Sequence, residues 1–530
     1  MERLDLPTLG LVLALAGVLL VPFLLQPKRE TAPTGARALV ILSPHNEAVR
    51  YEFDQAFRHW HRARFGEAVV IDWRNIGGTS EIARYLDSEF AAAERVGRSG
   101  IGIDLFFGGG AYDHAQQARK GHTAPCGLRQ RHPEWLANAA GAADAANAII
   151  PATFSGEVFY DPLDHWYGCC LSSFGICWNQ DVLADHGILR APQSWTDLAD
   201  FSYYRLVALA DPTKSGSINK AFEMLIQEQM RAELTKRGVP AKQAASAASA
   251  TAATPADLAA GWRHAFGIIR RIGANARYFT DSASKVPLDV AQGAAAAGMC
   301  IDFYGRFESE MIARNEKSNR MIYITPIGGS SISADPISLM RGAPCRELAE
   351  RFIDFCLSLE GQQLWNTRVG ERGGPERYAL RRLPIRKDMY TPHFLRTMSD
   401  PTALPYTQGG DFTYQAAWTR PLFALIRTLI RTQCIDTHAE LTSAWEAINR
   451  NGGPTACPEA FTAFMALPPN AEYGQALAVT AQQLNDKLTE ARLTREWILF
   501  FRIQYRQART LAEMQTKQTS KAQHRTPNIE

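Results

Sequence analysis

Polar, aromatic and cationic residues end the stretch Asp289–Arg306 (DVAQGAAAAGMCIDFYGR), around which the rest of the chain can be arranged. This stretch is predicted to begin as a helix, to pass through small residues and to become a buried strand that ends in a turn. Because ligands of open α/β sheets lie beyond the carboxyl ends of strands, Asp302, Tyr304 and Arg306 are candidate ligand contacts. An ordinary turn after a core strand explains the same pattern equally well.

Two further junctions between a predicted strand and a helix carry residues that suit an oxyanion. Asn75–Ser80 (NIGGTS) places two glycines before a helix, and Asp211–Ser217 (DPTKSGS) places a lysine, two serines and a glycine before another. Backbone N–H groups at helix N-termini bind anions, and glycine lets the backbone approach a ligand closely. The second junction lacks the GxxxxGK[ST] spacing of a nucleotide P-loop, so ATP is not expected. The candidate contacts are Gly78, Thr79, Ser80, Lys214, Ser215, Gly216 and Ser217.

Alternating strands and helices position these junctions. The first three predicted strands are Ala38–Ser43, Glu67–Trp73 and Gly102–Phe107, and helices alternate with them. This alternation predicts a parallel sheet. Asp164–Asn179 is predicted to be one long strand that leaves a first lobe and enters a second, and Tyr323–Ser333 is predicted to be the strand that returns to the first lobe.

The composition is that of a globular protein with more than one core. The chain has 530 residues, of which 46% are hydrophobic and 21% are charged, and its net charge is +3. Such a length predicts three or four structural units. The small net charge and the lack of a basic stripe with interleaved aromatic residues exclude nucleic acid as a partner.

An apolar segment near the N-terminus predicts export. Leu9–Leu25 is uncharged, with Arg3 before it and Lys28 and Arg29 after it. A run of this length is either a short membrane span or a long signal-peptide core. We expect residues 1–30 to be an uncleaved anchor in the inner membrane rather than a cleaved signal, with the rest of the chain outside the cytoplasm.

The nine cysteines and the scattered histidines form no catalytic or metal motif. No CxxC is present, so a zinc ribbon or a redox motif is not expected. Cys434 and Cys457 are candidates for one disulfide in an exported protein. No GxSxG or HExxH motif occurs, so a hydrolase is not expected.

The pattern of the chain changes from about Pro392. Glycine becomes sparse and helical periods dominate, which predicts a helical extension over residues 391–514. We expect this extension to pack on the first lobe. The polar segment 515–530 is predicted to be disordered.

Seven short segments resemble, in order, the extracellular solute-binding proteins of ABC importers, in the iron(III)-type branch. This resemblance covers about Ala38–Arg386. It implies a two-lobed α/β fold, the periplasmic-binding-protein type II fold, with lobe 1 at 38–165 and 323–390 and lobe 2 at 166–322. The segments are Asn75–Ser80, Asp104–Gly110, Trp166–Asn179, Ser194–Leu198, Ala210–Ser217, Asp302–Arg306 and Leu357–Trp365.

The resemblance also implies where a ligand binds. The lobes of such proteins close around the ligand by hinge bending, and the closed form docks on an ABC permease. Ser43, His45, Gly109 and Gly110 are then expected to line lobe 1 together with the first glycine-rich junction. The second junction and Asp302–Arg306 are expected to line lobe 2. No cofactor and no enzymatic activity are implied.

The identity of the ligand is narrowed by one departure from the family pattern. Iron binders in this family hold Fe(III) through adjacent tyrosines, whereas Tyr304 is followed here by Gly305. We therefore expect a small anionic ligand, either an oxyanion or a phosphorylated organic molecule, with Fe(III) bound by Tyr304 as the second possibility. Asp281 and Asp302 leave a cationic amine open. A membrane-anchored sensor or assembly subunit, and an enzyme on the same scaffold, are the alternative functions.

Overall fold

The computed structural model describes residues 36–136, 148–408, 411–484 and 486–523, together with Gly17. The predicted N-terminal anchor, apart from Gly17, lies outside the described residues, and so does segment 524–530 of the predicted tail. Within the described part of the chain, no helix is both long enough and apolar enough to cross a membrane. The last helix continues to Gln523, so residues 515–523, which were predicted to be disordered, are helical.

The chain alternates between strands and helices until about residue 384, as predicted. The first part has β1 (Arg37–Leu42), α1 (Glu47–Phe65), β2 (Val69–Arg74), α2 (Thr79–Arg95), β3 (Leu105–Phe107), α3 (Ala111–Arg119), β4 (Thr123–Ala124), β5 (Thr153–Phe154), β6 (Glu157–Val158) and β7 (Tyr167–Ser172). The second part has β8 (Phe174–Asn179), α4 (Gln180–Asp185), β9 (Val207–Ala210), α5 (Gly216–Lys236), α6 (Pro255–Asn275), β10 (Ala276–Thr280), α7 (Lys285–Ala291), β11 (Ala297–Ile301), α8 (Asp302–Glu316) and β12 (Met321–Ile324). The third part has β13 (Ser333–Met340), α9 (Arg346–Leu357), α10 (Leu359–Asn366) and β14 (Leu383–Pro384).

Helices dominate the remainder. The longer ones are α11 (Phe423–Ile430), α12 (His438–Arg450), α13 (Pro458–Met465), α14 (Gln475–Gln483) and α15 (Lys487–Gln523). Four-residue helices without labels lie at Leu128–Arg131, Ala241–Ala244, Ser249–Ala252, Pro392–Leu395, Pro405–Gln408, Ala416–Thr419 and Gly453–Ala456.

Two sheets form the centres of two lobes. The sheet of lobe 1 has the order β14-β7-β13-β3-β1-β2, with β4 paired to β13. Strands β2, β1 and β3 are parallel, and β13 is antiparallel to both of its neighbours β3 and β7. The sheet of lobe 2 has the order β10-β9-β11-β8-β12, in which β8 is antiparallel to β11 and β12. The parallel strands bring their carboxyl ends, and the loops that follow them, to one edge of each sheet.

The chain crosses between the lobes at Ser173. The segment Asp164–Asn179 was predicted to be one long strand, but it forms β7 in the first sheet and β8 in the second. The return crossing runs through residues 325–332, because β12 still pairs with β8 of lobe 2. Lobe 2 therefore extends slightly beyond the predicted boundary at residue 322. An alternation of apolar residues marks a strand but does not say to which sheet the strand belongs.

The C-terminal extension packs on lobe 2, which corrects the expectation that it packs on lobe 1. Helix α5 carries Asn219, Glu223 and Gln227 at a spacing of four residues, and all three are buried. Gln227 Nε2 donates to Gln415 O at 2.9 Å, and Asn219 Nδ2 donates to Phe423 O at 2.9 Å. In sequence this stripe looks like a solvated helix face, whereas in the structure it binds the extension.

Cys434 and Cys457 form no disulfide, which corrects the expected pairing. Each is buried with a free thiol, as are most of the nine cysteines. Cys434 Sγ lies 3.9 Å from Ile269 O in lobe 2, and Cys457 Sγ lies 3.4 Å from Asn451 O. The two thiols therefore belong to different local environments of the extension.

Truncating Trp262 is expected to destabilise lobe 2 and the extension together. This indole is fully buried, packs at a tilt against the rings of Phe266 and Tyr473, and donates to Ala471 O at 2.9 Å. Removing a buried tryptophan side chain costs about 3–5 kcal/mol of unfolding free energy. We expect Trp262→Ala to show this loss in urea denaturation, whereas Leu189→Ala, at a fully exposed position, leaves the midpoint unchanged. Equal midpoints for the two variants would contradict the shared core.

Candidate functional site

One cavity of about 460 Å³ lies between the two lobes at the ends of the parallel strands. It brings together ten of the fourteen residues predicted from the sequence. Those that line it are His45, Gly78, Thr79, Gly109, Gly110, Lys214, Ser215, Gly216, Ser217 and Tyr304. Both glycine-rich junctions therefore face the same space, one from each lobe.

Three long helices direct their N-termini toward this cavity. Gly78 precedes α2 and Gly110 precedes α3 in lobe 1, and Ser215 precedes α5 in lobe 2. Ser215 Oγ accepts the N–H of Ile218 at 3.4 Å and lies 3.1 Å from Ser217 Oγ. The first N–H groups of a helix have no acceptor within the helix and carry a partial positive charge. This arrangement favours a negatively charged group in the cavity.

The lobes touch at one of these junctions. A methyl group added at Gly78 would lie 2.3 Å from the carbonyl oxygen of Lys214. Gly109 has a φ of 111°, and a methyl group there would lie 2.6 Å from Thr79 Cγ2. Glycine is therefore required at both positions, for close approach at Gly78 and for the backbone conformation as well at Gly109. The structure is a closed form in which lobe 2 backbone rests on lobe 1 backbone.

Four predicted residues lie behind the cavity wall instead of lining it. Ser43 Oγ accepts the N–H of His45 at 3.1 Å, and Ser80 Oγ accepts a hydrogen bond from Arg427 Nη1 at 2.8 Å. Asp302 and Arg306 were placed in a turn, but Asp302 begins helix α8 and Arg306 lies one turn further along it. This placement does not support direct contact of these four side chains with a ligand.

Asp302 and Arg306 instead belong to a polar contact between the lobes. Arg306 Nη2 donates to Asp302 Oδ2 at 3.0 Å and to Arg381 O at 3.1 Å. Its Nε lies 3.7 Å from Asp400 Oδ1. Arg381, from lobe 1, pairs with Asp400 and with Glu310 of α8. The side chains bridge the lobes because the helix turns Arg306 away from the cavity.

Several charged residues of the cavity were missed by the sequence analysis. Arg382 binds Asp335 and lies with its guanidinium carbon 3.8 Å from the ring centre of Phe303. Lys220 lies 2.9 Å from both Glu157 and Glu223. These residues come from β13, β6, α5 and the segment before β14. No local motif marks them in the sequence.

Some buried polar atoms of the cavity have no partner among the described residues. These atoms are Ser172 Oγ, Asp335 Oδ1 and His45 Nδ1. Burial, followed by the nearby Arg382 charge, lowers the pKa of His45 well below its ordinary value, so the imidazole is neutral near pH 7. An unpartnered buried polar atom costs free energy unless a ligand or water binds it. The cavity thus offers hydrogen-bonding groups that the protein itself does not use.

A carboxyl group also lies beside the helix N-termini. Asp113 is buried, and methyl groups added at Gly110 and Gly216 would meet its Oδ2 at 3.5 and 3.6 Å. Burial raises the pKa of Asp113, and the charge of Arg427 opposes this rise. A protonated Asp113 donates a hydrogen bond to an anionic ligand, whereas the ionised form competes with it.

The described cavity residues do not form a ready-made cluster of His, Cys, Asp or Glu ligands for a metal ion. Tyr304 and Tyr112 line it, but among the described residues no group of three or more His, Cys, Asp or Glu side chains is arranged to hold a metal ion. Burial raises the pKa of Tyr304, which opposes formation of the phenolate that Fe(III) prefers.

Gly78→Ala is expected to weaken closure without unfolding either lobe. Gly78 has a φ of −74°, which alanine adopts without strain, so the effect comes only from the 2.3 Å contact with Lys214 O. Small-angle X-ray scattering of the variant is expected to show a larger radius of gyration at an unchanged circular dichroism spectrum. Gly110→Ala, another residue that caps a helix at the cavity, meets no atom closer than 3.5 Å and is the control. An unchanged radius for Gly78→Ala would contradict the close approach.

Comparisons with known proteins find similarity over parts of this chain. An uncharacterized protein of Haemophilus influenzae is 23% identical over 191 residues, which make up 36% of this chain and 44% of that protein. The alignment with this curated relative therefore spans less than half of the relative's length. Residues 101–370, a little more than half of the chain, match the family described as bacterial extracellular solute-binding protein.

Solved structures of periplasmic binding proteins are similar to parts of the chain. The fructose-6-phosphate-bound protein AfuA of Actinobacillus pleuropneumoniae is 19% identical, with a TM-score of 0.44 over 62% of this chain and 81% of that one. Iron-bound HitA of Pseudomonas aeruginosa is 13% identical, with a TM-score of 0.46 over 74% and 99%. The two-lobed fold, the interlobe cavity and the match over residues 101–370 lead to one conclusion: the chain belongs to the bacterial extracellular solute-binding protein family.

Proposed function

We propose that this protein is the solute-binding component of an ABC importer and that it captures a small phosphorylated organic molecule outside the cytoplasm. The observation that carries the proposal is the position of the two glycine-rich junctions. Gly78–Thr79 from lobe 1 and Lys214–Ser217 from lobe 2 face one cavity, each at the N-terminus of a long helix. A phosphate group between them would be held by backbone N–H groups and serine hydroxyls from both lobes. Closure of the lobes around it would then form the complex that docks on the permease.

One lysine of the cavity, Lys214, supports an anionic group at this place. Among the described residues, the cations that line the cavity are Lys214, Lys220, Lys285 and Arg382. Three of these cations are neutralised by carboxylates. Lys285 lies 2.6 Å from Asp281, Lys220 pairs with Glu157, and Arg382 pairs with Asp335. Lys214 alone of these four has no carboxylate within 4 Å in the described part of the chain. Its charge is thus available to a ligand that also touches the helix N-termini.

The size and the walls of the cavity support an organic ligand over a bare oxyanion. A volume of about 460 Å³ lies in the range of roughly 300–1,000 Å³ that is typical of organic ligand pockets. Aromatic rings provide apolar surface next to the polar end. The rings that line the cavity are those of Tyr112, Phe174, Phe303, Tyr304 and Phe423.

The ligand class is tested by a thermal-shift screen. We expect sugar phosphates to raise the unfolding midpoint at lower concentration than inorganic phosphate does, and the parent sugars to have no effect, since only a ligand of the native state stabilises it. Equal shifts by a sugar and its phosphate, or no shift with any phosphorylated compound, would contradict the proposal.

The role of Lys214 is tested by substitution. A charged hydrogen bond is worth about 1.5–3 kcal/mol, so Lys214→Ala is expected to weaken binding of the responding sugar phosphate by about tenfold or more in isothermal titration calorimetry. Lys242→Ala removes an exposed lysine from the same lobe and is the matched control, for which the affinity should not change. The same affinity for both variants would remove Lys214 from the site.

Fe(III) is the second candidate ligand, and Tyr304 provides its test. A tyrosinate bound to Fe(III) absorbs visible light, so iron binding through Tyr304 requires a coloured complex that Tyr304→Phe abolishes. Given the single tyrosine at this turn and its raised pKa, we expect no visible band when Fe(III) citrate is added to the wild-type protein. A band that Tyr304→Phe removes would establish iron as the ligand in place of the phosphorylated molecule.

A further inference from the structure

The C-terminal extension, which lies outside the family match, forms one body with lobe 2. Arg270 of α6 is 1% exposed and donates to Ala466 O at 3.0 Å and to Gln433 Oε1 at 3.2 Å. Trp445 Nε1 of the extension donates to Asn275 Oδ1 at 3.0 Å. A continuous hydrophobic core runs through lobe 2 and the helices of the extension. When the lobes open, the extension must therefore move with lobe 2.

The same extension also touches lobe 1 beside the cavity. Phe423, at the start of α11, is 4% exposed, lines the cavity and lies 4.6 Å from the ring centre of Tyr112 in lobe 1. One turn later, Arg427 Nη1 donates to Ser80 Oγ at 2.8 Å. Ser80 lies in the first turn of α2 and is 2% exposed. Opening of the lobes would break both contacts.

The charge of Arg427 also acts across the cleft. Asp113 of lobe 1 is buried beside the helix N-termini, and the Arg427 charge opposes the rise that burial causes in the pKa of Asp113. The Arg427 Nε is buried without a partner. The guanidinium is thus held between lobe 1 groups and the ring of Phe423, 5.2 Å away.

We propose that the extension is a built-in latch on the ligand cleft, in which Arg427 binds lobe 1 through Ser80 and holds the lobes closed. The proposal takes from the proposed function only that the interlobe cavity is the ligand site. A latch of this kind raises the closed population of the ligand-free protein and slows ligand release, since the contact must break before the cavity opens. It also makes Phe423 a part of the wall against which an organic ligand packs.

The latch is tested on the full chain without ligand by pulsed electron paramagnetic resonance. Nitroxides at Ser88→Cys in lobe 1 and Lys242→Cys in lobe 2 report the distance between the lobes, in a Cys345→Ser background because the other cysteines are buried. Arg427→Met keeps the bulk of the side chain and removes the guanidinium. We expect the wild-type protein to give mainly the short distance. Arg427→Met is expected to raise the ratio of open to closed protein by about tenfold, which is the change that loss of one charged hydrogen bond produces.

Two further variants separate a latch from a general loss of stability. Arg431→Met removes an arginine one turn later, which pairs with Asp436 inside the extension at 3.1 Å, and should leave the distance unchanged. Ser80→Ala should lengthen the distance as Arg427→Met does, and the double variant should open no further than the Arg427→Met single variant.

The proposal is overturned if wild type is mainly open, if Arg427→Met matches wild type, or if Arg431→Met opens the lobes equally. These distances are measured without ligand, so failure of the latch proposal can be distinguished from failure of the proposed function in the thermal-shift screen.

Discussion

The separation of the hydrophobic cores of the two lobes is the constraint on which the rest of the structure depends. The core of lobe 1 surrounds Phe53 and Trp365, and that of lobe 2 surrounds Trp195 and Trp262. Short crossings, such as the one at Ser173, connect them. Because each core is complete within its lobe, opening exposes mainly ion pairs and hydrogen bonds that water can replace. The cavity is therefore a place where the molecule can change shape without unfolding.

The charges around the cavity follow from this constraint. Arg382–Asp335 neutralises a cation of the cavity within lobe 1, whereas Arg306–Asp400 and Arg381–Glu310 are ion pairs that join the two lobes. Burying two charges is favourable only with good geometry and further hydrogen bonds. The pairs that join the lobes fix the relative orientation of the lobes more than they add to the free energy of unfolding. Lys214 has no carboxylate partner among the described residues, so its charge is available to the proposed anionic ligand.

The extension changes the energetics of a two-lobed binding protein. In a lobe pair alone, the ligand supplies most of the free energy of closure. Here the extension, packed on lobe 2, places Phe423 in the cavity wall, and Phe423 and Arg427 contact Tyr112 and Ser80 of lobe 1. Part of the closing free energy then comes from the protein itself. The polar stripe of α5, which includes Glu223, is the surface that makes this fastening possible.

The sequence by itself determined the local features of this protein. A strand, a glycine-rich turn and a helix N-terminus are neighbours in the chain, so Gly78–Thr79 and Lys214–Ser217 were predicted as parts of the site and do line the cavity. The order of such segments also indicated the family. The switch of sheets at Ser173, however, left no mark in the apolar pattern of the surrounding strands.

Only the tertiary structure decided which distant residues meet. Arg382 and Asp335 pair because β13 and the segment before β14 both flank β7. The register of strands across a sheet cannot be predicted from either segment alone. Likewise, the polar residues of α5 fit water and a protein partner equally well as sequence. The physical reason is common to both cases. Hydrogen bonds and ion pairs need only a complementary group, so a sequence shows that a partner is required, while folding decides where it comes from.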